Sequence, residues 1–531
     1  MSGKKLNLKW VSDEIGNDYK EWKRGDIITI NAQTGTGKTF FIKNVLIPHM
    51  AYEKMLIVAN RVNLKRQLKK DLCKYYNKPL PTDLSDLDNL NVIGDVTIMS
   101  YQQLGNIIHD SNYGKEKLDL SMYDYIICDE AHFFMTDAGF NNKCDLVFFE
   151  LVRKKHDAIK IFISATMDEI YPTIQAGAED TNSNLIGKKY NTGVDYSYVN
   201  TKYFRNLNDI AKLIKNDKTD EKWLIFVKSK DDGEKLENQL KDICSCEFIT
   251  RETNIKKSEN LRNIISDSNF VSKVLITTKV MDNGINIDDD KLKNMVIMTY
   301  DNVSFIQMLG RLRVDIENAP RLNLFIPLFN RSNFNPLITK IYEPRIEMIK
   351  LFEKERTEFN RIYDRSDKLP SSIFIKINGA VDINILGRVR LDNDYEFVKN
   401  IDGKLKNDEF AYIKQQLKWI GLENEFNKEN LIEHVVDKKV KIELGEFLET
   451  ACNDDARFSK DILKNTMLNI INKDNNLMVK FNKLDGGNKR DKGMKKINEL
   501  LISENYDYIV GSKRETINGV RDYYWRVLRN I

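Results

Sequence analysis

Short runs rich in Ile and Val recur through the first third of the chain: Asp26 to Ile30, Met55 to Asn60, Val96 to Ser100, Tyr125 to Asp129 and Lys160 to Ser164. Turn residues or charges bound each run, and longer stretches of mixed polarity separate them, the pattern of buried strands alternating with helices. Strand and helix in repeated alternation predict a parallel sheet covered on both faces. A second series keeps the same rhythm at Trp223 to Val227, Val274 to Thr278, Met295 to Thr299 and Leu322 to Ile326. The predicted architecture is therefore α/β, with one parallel-sheet domain over 1–170 and another over 206–335. Between them, 171–205 is rich in Thr, Asn, Gly and Tyr and reads as a linker or irregular connection.

After Pro336 the rhythm changes. Tyr342 to Tyr363 and Glu409 to Trp419 read as helices, interrupted by a β-like stretch from Ile373 to Ile377, so 336–480 is expected to be a mostly helical accessory region. The last segment, 481–531, predicts a helix from Lys492 to Glu504 and two polar-aromatic strands joined at Asn518-Gly519. Asn-Gly between such strands favours a two-residue turn with both residues at positive φ. Helix plus hairpin suggests a small winged-helix-like end.

At 531 residues the chain is too long for one ordinary core. Hydrophobic residues at 41% and charged residues at 31% provide both buried cores and a wet surface. No apolar run approaches the roughly 18 to 20 residues that cross a bilayer, and the opening MSGKKLNLKW lacks a signal-peptide core. A cytoplasmic protein with no membrane partner is the expectation. The six cysteines are scattered and expected as thiols, Cys244 and Cys246 have no second pair beside them, and the five histidines do not cluster, so no structural zinc is expected. Net charge is +4, and all of that excess lies in 481–531, with eleven Lys or Arg against seven Asp or Glu. A basic end can hold phosphate backbones, although a solvated face explains so modest an excess more simply.

Candidate chemistry begins where the first strand runs into Asn31-Ala32-Gln33-Thr34-Gly35-Thr36-Gly37-Lys38-Thr39, followed by an apolar-periodic helix. Strand, loop and helix in that order form a phosphate cradle. Gly35 and Gly37 permit backbone angles that turn N–H groups toward β- and γ-phosphates, with Thr34 and Thr36 in the same loop. Lys38 supplies a point charge, and the Thr39 hydroxyl suits Mg²⁺. The strict pattern has glycine at position 32, where this chain has alanine. The strand Tyr125 to Cys128 leads into Asp129-Glu130-Ala131-His132, which sets two carboxylates at the carboxyl edge of the sheet, where open α/β folds bind ligands. Asp129 would orient Mg²⁺, and Glu130 would position or deprotonate the water that attacks the γ-phosphate.

DEAH at 129–132, AQTGTGKT upstream and Ser164-Ala165-Thr166 downstream together resemble the first domain of superfamily 2 helicases. The resemblance implies two tandem RecA-like domains, ATP with Mg²⁺, and nucleic acid as partner. It implies coupling roles for His132, Ser164 and Thr166. It also places Ala59-Asn60-Arg61 and Ser100-Tyr101-Gln102 where that family grips the sugar-phosphate backbone. Phe226-Val227-Lys228-Ser229 resembles the opening strand of the family's second domain, with Lys228 and Ser229 as further nucleic-acid contacts. Thr277 to Ile287 resembles its fifth motif, in which Gly284 would allow a tight turn beside the nucleotide and Asn286 or Asp282 would reach the ribose or the catalytic water. Gln307-Met308-Leu309-Gly310-Arg311-Leu312-Arg313 resembles the motif that delivers arginines across the domain interface. The usual spacing is Q-x-x-G-R-x-G-R; here Arg313 stands where the second glycine belongs and Val314 takes the final arginine. Arg311 and Arg313 both stand as candidate fingers, with Gln307 contacting the γ-phosphate or the attacking water.

Three functions fit these motifs: a helicase or translocase, an ATP-driven switch within a larger assembly that uses the C-terminal region for protein partners, and a binding protein without turnover. The intact Lys38, Thr39, Asp129, Glu130 and Arg311 speak against the third. The G-R-L-R ending resembles phage, viral and mobile-element DNA helicases, which favours DNA over RNA.

Overall fold

The computed structural model describes residues 3–530 except 61, 82, 113, 116–118, 137–142, 279–285, 364–368, 378–379, 474, 486–491 and 518–519. Two compact units divide the chain, Met1–Phe426 and Asn427–Ile531.

Two sheets organise the first unit. The front sheet contains β1 (Ile27–Asn31), β2 (Met55–Val58), β3 (Val92–Ile93), β4 (Val96–Met99), β5 (Tyr125–Asp129), β6 (Ile159–Ser164) and β7 (Leu185–Asn191). Their spatial order is β3-β4-β2-β5-β6-β1-β7, and every pairing except β3 with β4 is parallel. The rear sheet contains β8 (Val199–Phe204), β9 (Lys222–Phe226), β10 (Cys246–Ile249), β11 (Val274–Thr277), β12 (Leu292–Ile297) and β13 (Leu322–Pro327), in the fully parallel order β10-β11-β9-β12-β13-β8.

Strand alternation explains why the front strands read as continuous apolar runs. Ile28, Ile30, Ile57, Ile127, Ile161 and Ile163 fill one face, while Leu56, Val58, Ile126, Cys128 and Phe162 fill the other. Both faces are covered by helices, so residues of both parities are mostly apolar. Each large apolar side chain buried this way contributes on the order of 1.5–3 kcal/mol before entropy is counted.

The stretch 171–205 is more ordered than the linker expected. It holds most of helix Met167–Asp180, strand β7 pairing with β1, and β8, the first strand of the rear sheet. β7 is an edge strand with only Tyr190 buried, so it carries no apolar run for sequence reading to detect. The N-terminal segment also joins the two domains: Lys4 and Ala319 exchange backbone hydrogen bonds of 2.9 and 2.8 Å, and the Leu6 N–H donates to the Ile316 carbonyl at 2.8 Å.

Beyond the rear sheet, helices Glu343–Lys354 and Arg356–Tyr363 and the hairpin Phe374–Ile377 with Ala380–Ile383 enclose a core of Phe352, Phe359 and Phe374. Helix Ile385–Lys404 follows, capped by the Asn384 side chain, and then helix Ala411–Trp419.

In the second unit, helices Ile432–Asn453, Lys460–Ile471, Asn475–Lys483 and Lys492–Ser503 accompany the hairpin Tyr508–Ile517 with Val520–Arg529. Leu448, Met467, Ile497, Leu501, Trp525 and Val527 share its core. The predicted hairpin is present, and its Asn518-Gly519 turn lies outside the described residues. Among the described residues the six cysteines are free, and no helix is long and apolar enough to cross a membrane.

One buried residue is at odds with its surroundings. Lys160 is fully buried on β6, on the Phe162 side, and its ammonium has no hydrogen-bond partner among the described residues. Burial pulls its pKa down from 10.5 to about 8, with the Cys128 thiol pulling weakly the other way. The unfolded chain therefore binds more protons between those two values. The penalty is complete below pH 8 and is relieved as pH rises toward 10.5. Lys160→Met is expected to raise the thermal midpoint at pH 7, with a gain that shrinks between pH 8 and 10; a pH-independent gain, or a loss, counts against this account.

Candidate nucleotide site

The site forms where the carboxyl edges of β1 and β5 face the rear domain. β1 ends at Asn31, and the loop turns through Gly35 and Gly37, both at positive φ (92° and 84°), into helix Lys38–Phe41. Those angles are costly for any residue with a Cβ. At Gly37 a Cβ would also lie 3.1 Å from the ring of Trp10, whose neighbour Val11 donates its N–H to the Thr36 carbonyl at 2.9 Å. Thr36 is fully buried and its hydroxyl donates to the Gln33 carbonyl at 2.8 Å, closing the loop on itself. Trp10 and this closure were not foreseen, because no motif marks a tryptophan so far upstream of the loop.

β5 delivers the acidic pair. Asp129 ends the strand, and its carbonyl accepts from the Tyr101 hydroxyl at 3.0 Å. Glu130 follows at φ 53°, a left-handed backbone conformation that costs on the order of 1–3 kcal/mol and persists only where surroundings enforce it. Its side chain is buried and engaged from three directions. Lys38 Nζ donates to Oε1 at 3.2 Å, Gln307 Nε2 of the rear domain donates to Oε2 at 3.4 Å, and His132 Nδ1 lies 3.4 Å from Oε2. The candidate coupling residues join this network. His132 Nδ1 lies 3.0 Å from Ser164 Oγ, which accepts the Thr166 N–H at 3.0 Å and sits 3.3 Å from Thr166 Oγ1.

The two candidate arginines are placed differently. Arg311 is buried to 1% exposure, and its guanidinium donates to the Gln307 carbonyl at 2.8 Å and to Gln307 Oε1 at 2.7 Å. It holds the amide that faces Glu130. Arg313 is exposed and lines the cleft of about 270 Å³ that also contains Thr34, Gly35, Gly37, Lys38, Thr39, Asp129, Glu130 and Asn286. Gly310 packs directly against the phosphate loop: a Cβ there would lie 2.7 Å from Thr34 Oγ1.

The cleft fits a magnesium triphosphate on its own terms. Thr34 Oγ1 and Asn286 Oδ1 are buried and have no hydrogen-bond partner among the described residues. Such atoms are costly unless a ligand or water satisfies them. Thr39 and Asp129 line the same cleft, and a hydroxyl with a carboxylate suits a cation whose other ligands are phosphate and water. Gly284, Asp282 and Arg61 lie outside the described residues.

The expected nucleic-acid contacts fare unevenly. Tyr101 is fully buried and braces the Asp129 strand, so it is not a surface contact in this structure; its parity in the helix beginning there turns the ring into the core. Burial pushes its phenol well up, and Cys128, Asp129 and Glu130 add to the rise. Ser100 exchanges capping bonds with Gln103 (2.9 and 3.0 Å). Ser229 caps helix Lys230–Leu240, accepting the Asp232 N–H at 3.1 Å. Lys228 is exposed, with its ammonium 6.0 Å from the Phe329 ring centre.

Comparison with known proteins accords with this geometry. Residues 8–169 match the family described as type III restriction enzyme, res subunit, and residues 205–314 match the helicase conserved C-terminal domain. The matched segments fall on the front and rear sheets, and they make the chain an enzyme of the superfamily 2 helicase class, an ATP-dependent nucleic-acid helicase. Among solved structures it is similar to S. cerevisiae Dbp5 bound to RNA and ADP BeF3 (15% identity, 71% of this chain and 89% of that one, TM-score 0.41). It is also similar to the DEAD-box helicase Mss116 bound to ssRNA and UDP-BeF (14%, 79% and 86%, TM-score 0.45). A third is a DEAD box protein from the hyperthermophile Methanococcus jannaschii (21%, 61% and 87%, TM-score 0.35). No curated protein matches the sequence.

The seam is tight enough at Gly310 for one methyl group to test it. Gly310→Ala is expected to push the rear domain off Thr34 and lower the ATPase kcat by about 10²-fold, as a misplacement near 1 Å does, without lowering the thermal midpoint. Wild-type turnover in this variant would show that the seam does not set the rate.

Proposed function

We propose that the chain hydrolyses ATP in this cleft and uses the closing and opening of its two domains to step along nucleic acid, with DNA as the favoured track. The observation that carries the reading is the double engagement of Glu130, by Lys38 from the front domain and by Gln307 from the rear. In this reading Lys38 and the Gly35 and Gly37 backbone hold the β- and γ-phosphates, and Asn286 and Thr34 satisfy their buried oxygens on the nucleotide. Glu130 takes the proton of the attacking water, which Gln307 orients. Arg313 serves as the finger because it already faces the cleft, and Arg311 fixes the Gln307 amide. Thr39 and Asp129 would hold Mg²⁺, which would supply charge neutralisation at the phosphates.

The chain His132–Ser164–Thr166 gives Glu130 a polar link to helix Met167–Asp180, a route by which track binding can reach the acid. Lys228, exposed at the end of β9, is the track contact that the geometry favours. DNA is preferred over RNA on the front domain's match to a restriction-enzyme subunit and on the G-R-L-R ending. RNA, which appears with two of the structural neighbours, is the alternative.

ATPase rates against single- and double-stranded DNA and RNA, run beside an unwinding assay on tailed duplexes, test the reading. Turnover is expected to be highest with DNA and to fall with salt. Stimulation by RNA alone would reassign the track, and stimulation without unwinding would favour a translocating or switching subunit. Lys38→Ala is expected to abolish turnover. Glu130→Gln is expected to lower it by about 10²- to 10⁴-fold while retaining bound ATP and nucleic-acid affinity. Either variant turning over at the wild-type rate rules out the assigned site.

A further inference from the structure

Helix Ile385–Lys404 lies outside both matched segments and carries no motif, yet it touches both motor domains. Its first turn is seated on backbone: a Cβ at Gly387 would lie 1.7 Å from the Ser372 carbonyl oxygen. Leu386 is fully buried in the front domain's core beside Phe133 and Phe134, and its N–H reaches Asp145 Oδ1 at 3.4 Å. One turn further, Arg390 Nη1 donates to the Met135 carbonyl at 3.2 Å, and its Nε donates to Asp394 Oδ2 at the same distance. Met135 stands three residues after His132, on the turn that follows the acidic pair.

The far end of the helix belongs to the rear domain. Asp402 accepts from Nε and Nη2 of Arg331, at 3.0 and 2.9 Å, from helix Arg331–Leu337. Between the ends, Phe397 packs on Trp419 (ring centres 5.8 Å apart), and Trp419 packs on Phe305 (5.6 Å) in helix Asn302–Leu309, which carries Gln307. That helix also reaches the front domain directly, since Asn302 Nδ2 donates to Glu169 Oε1 at 3.2 Å, three residues past Thr166.

We propose that helix Ile385–Lys404 is a brace that sets the separation across which Gln307 meets Glu130, and that Arg390 is the positioning residue tying the acidic-pair turn to it. The inference rests on the ATPase reading above. A helix of 20 residues spans roughly 30 Å and bends little, so its two attachments fix a distance between domains. The Gln307 to Glu130 contact, at 3.4 Å, lies at the long end of hydrogen-bond range, where a few tenths of an ångström decide whether it forms. Arg390 bonds a backbone carbonyl, so it registers the place of the turn and not the rotamer of a side chain. Its planar fork makes that bond and the Asp394 bond in one fixed geometry, which a lysine does not reproduce.

Arg390→Ala, Arg390→Lys and Asp402→Asn in the full chain test the brace at its two ends. The readouts are steady-state ATPase with and without nucleic acid, active fraction by nucleotide binding, nucleic-acid affinity and thermal midpoint. Arg390→Ala and Asp402→Asn are both expected to lower nucleic-acid-stimulated kcat per active site by about tenfold or more, while KM for ATP and nucleic-acid affinity move less than about threefold. Arg390→Lys is expected to recover only a minor part of the loss. A lower midpoint or active fraction with kcat per active site and the stimulation ratio unchanged makes the helix merely structural and overturns the proposal. Loss at Arg390 with none at Asp402 also overturns it, because a brace must act from both ends. Wild-type protein without nucleic-acid-stimulated turnover would instead overturn the reading beneath it.

Discussion

A buried carboxylate that both domains engage organises this molecule. Glu130 is 1% exposed and sits at a strained backbone angle, and a charge so placed is tolerated only when paired and hydrogen-bonded. The front domain offers Lys38 and His132, and the rear domain offers Gln307, itself fixed by Arg311. The energetic demand of one carboxylate thus becomes a geometric demand on two domains. A charge introduced by a ligand in this cleft has to renegotiate the same partners, which is the physical basis for coupling nucleotide state to domain position.

The surrounding structure meets that demand by placing short polar loops at the carboxyl edges of buried sheets. Parallel strands with both faces covered are rigid and dry, and their ends bring the phosphate loop, the acidic pair and the Ser164–Thr166 turn to one edge of one sheet. Lacing by the N-terminal segment at Ala319 and by Gly310 against Thr34 brings the second sheet to the same edge. Backbone bonds and the close approach of Gly310 join apolar side chains such as Leu6, Leu312 and Ile316 in closing the seam there.

The accessory helices extend this logic outside the recognisable motor. Tyr412 donates its hydroxyl to the Thr299 carbonyl at 2.8 Å, at the end of the strand that leads into helix Asn302–Leu309. Trp419 lies on the same helix through Phe305. Residues that look in sequence like ordinary core aromatics therefore sit on the element that carries Gln307.

Most of the motor was legible in the sequence because its determinants are local. Nine of the strands appear as apolar runs, and the phosphate loop and acidic pair are contiguous strings whose chemistry follows from neighbouring residues on one turn of backbone. What escaped depends on residues far apart. β7 shows no apolar alternation because it is an edge, Tyr101 looks like a surface contact until helix parity turns it inward, and Lys160 hides a buried amine inside a strand. The choice between Arg311 and Arg313 could not come from spacing, since both follow Gly310 within three residues; Arg311 turns back on Gln307 four residues earlier, whereas only the tertiary fold sets Arg313 on the cleft. Local order in the chain determines which groups are present, whereas the partner each charge finds across nearly 180 residues is settled by how the domains meet.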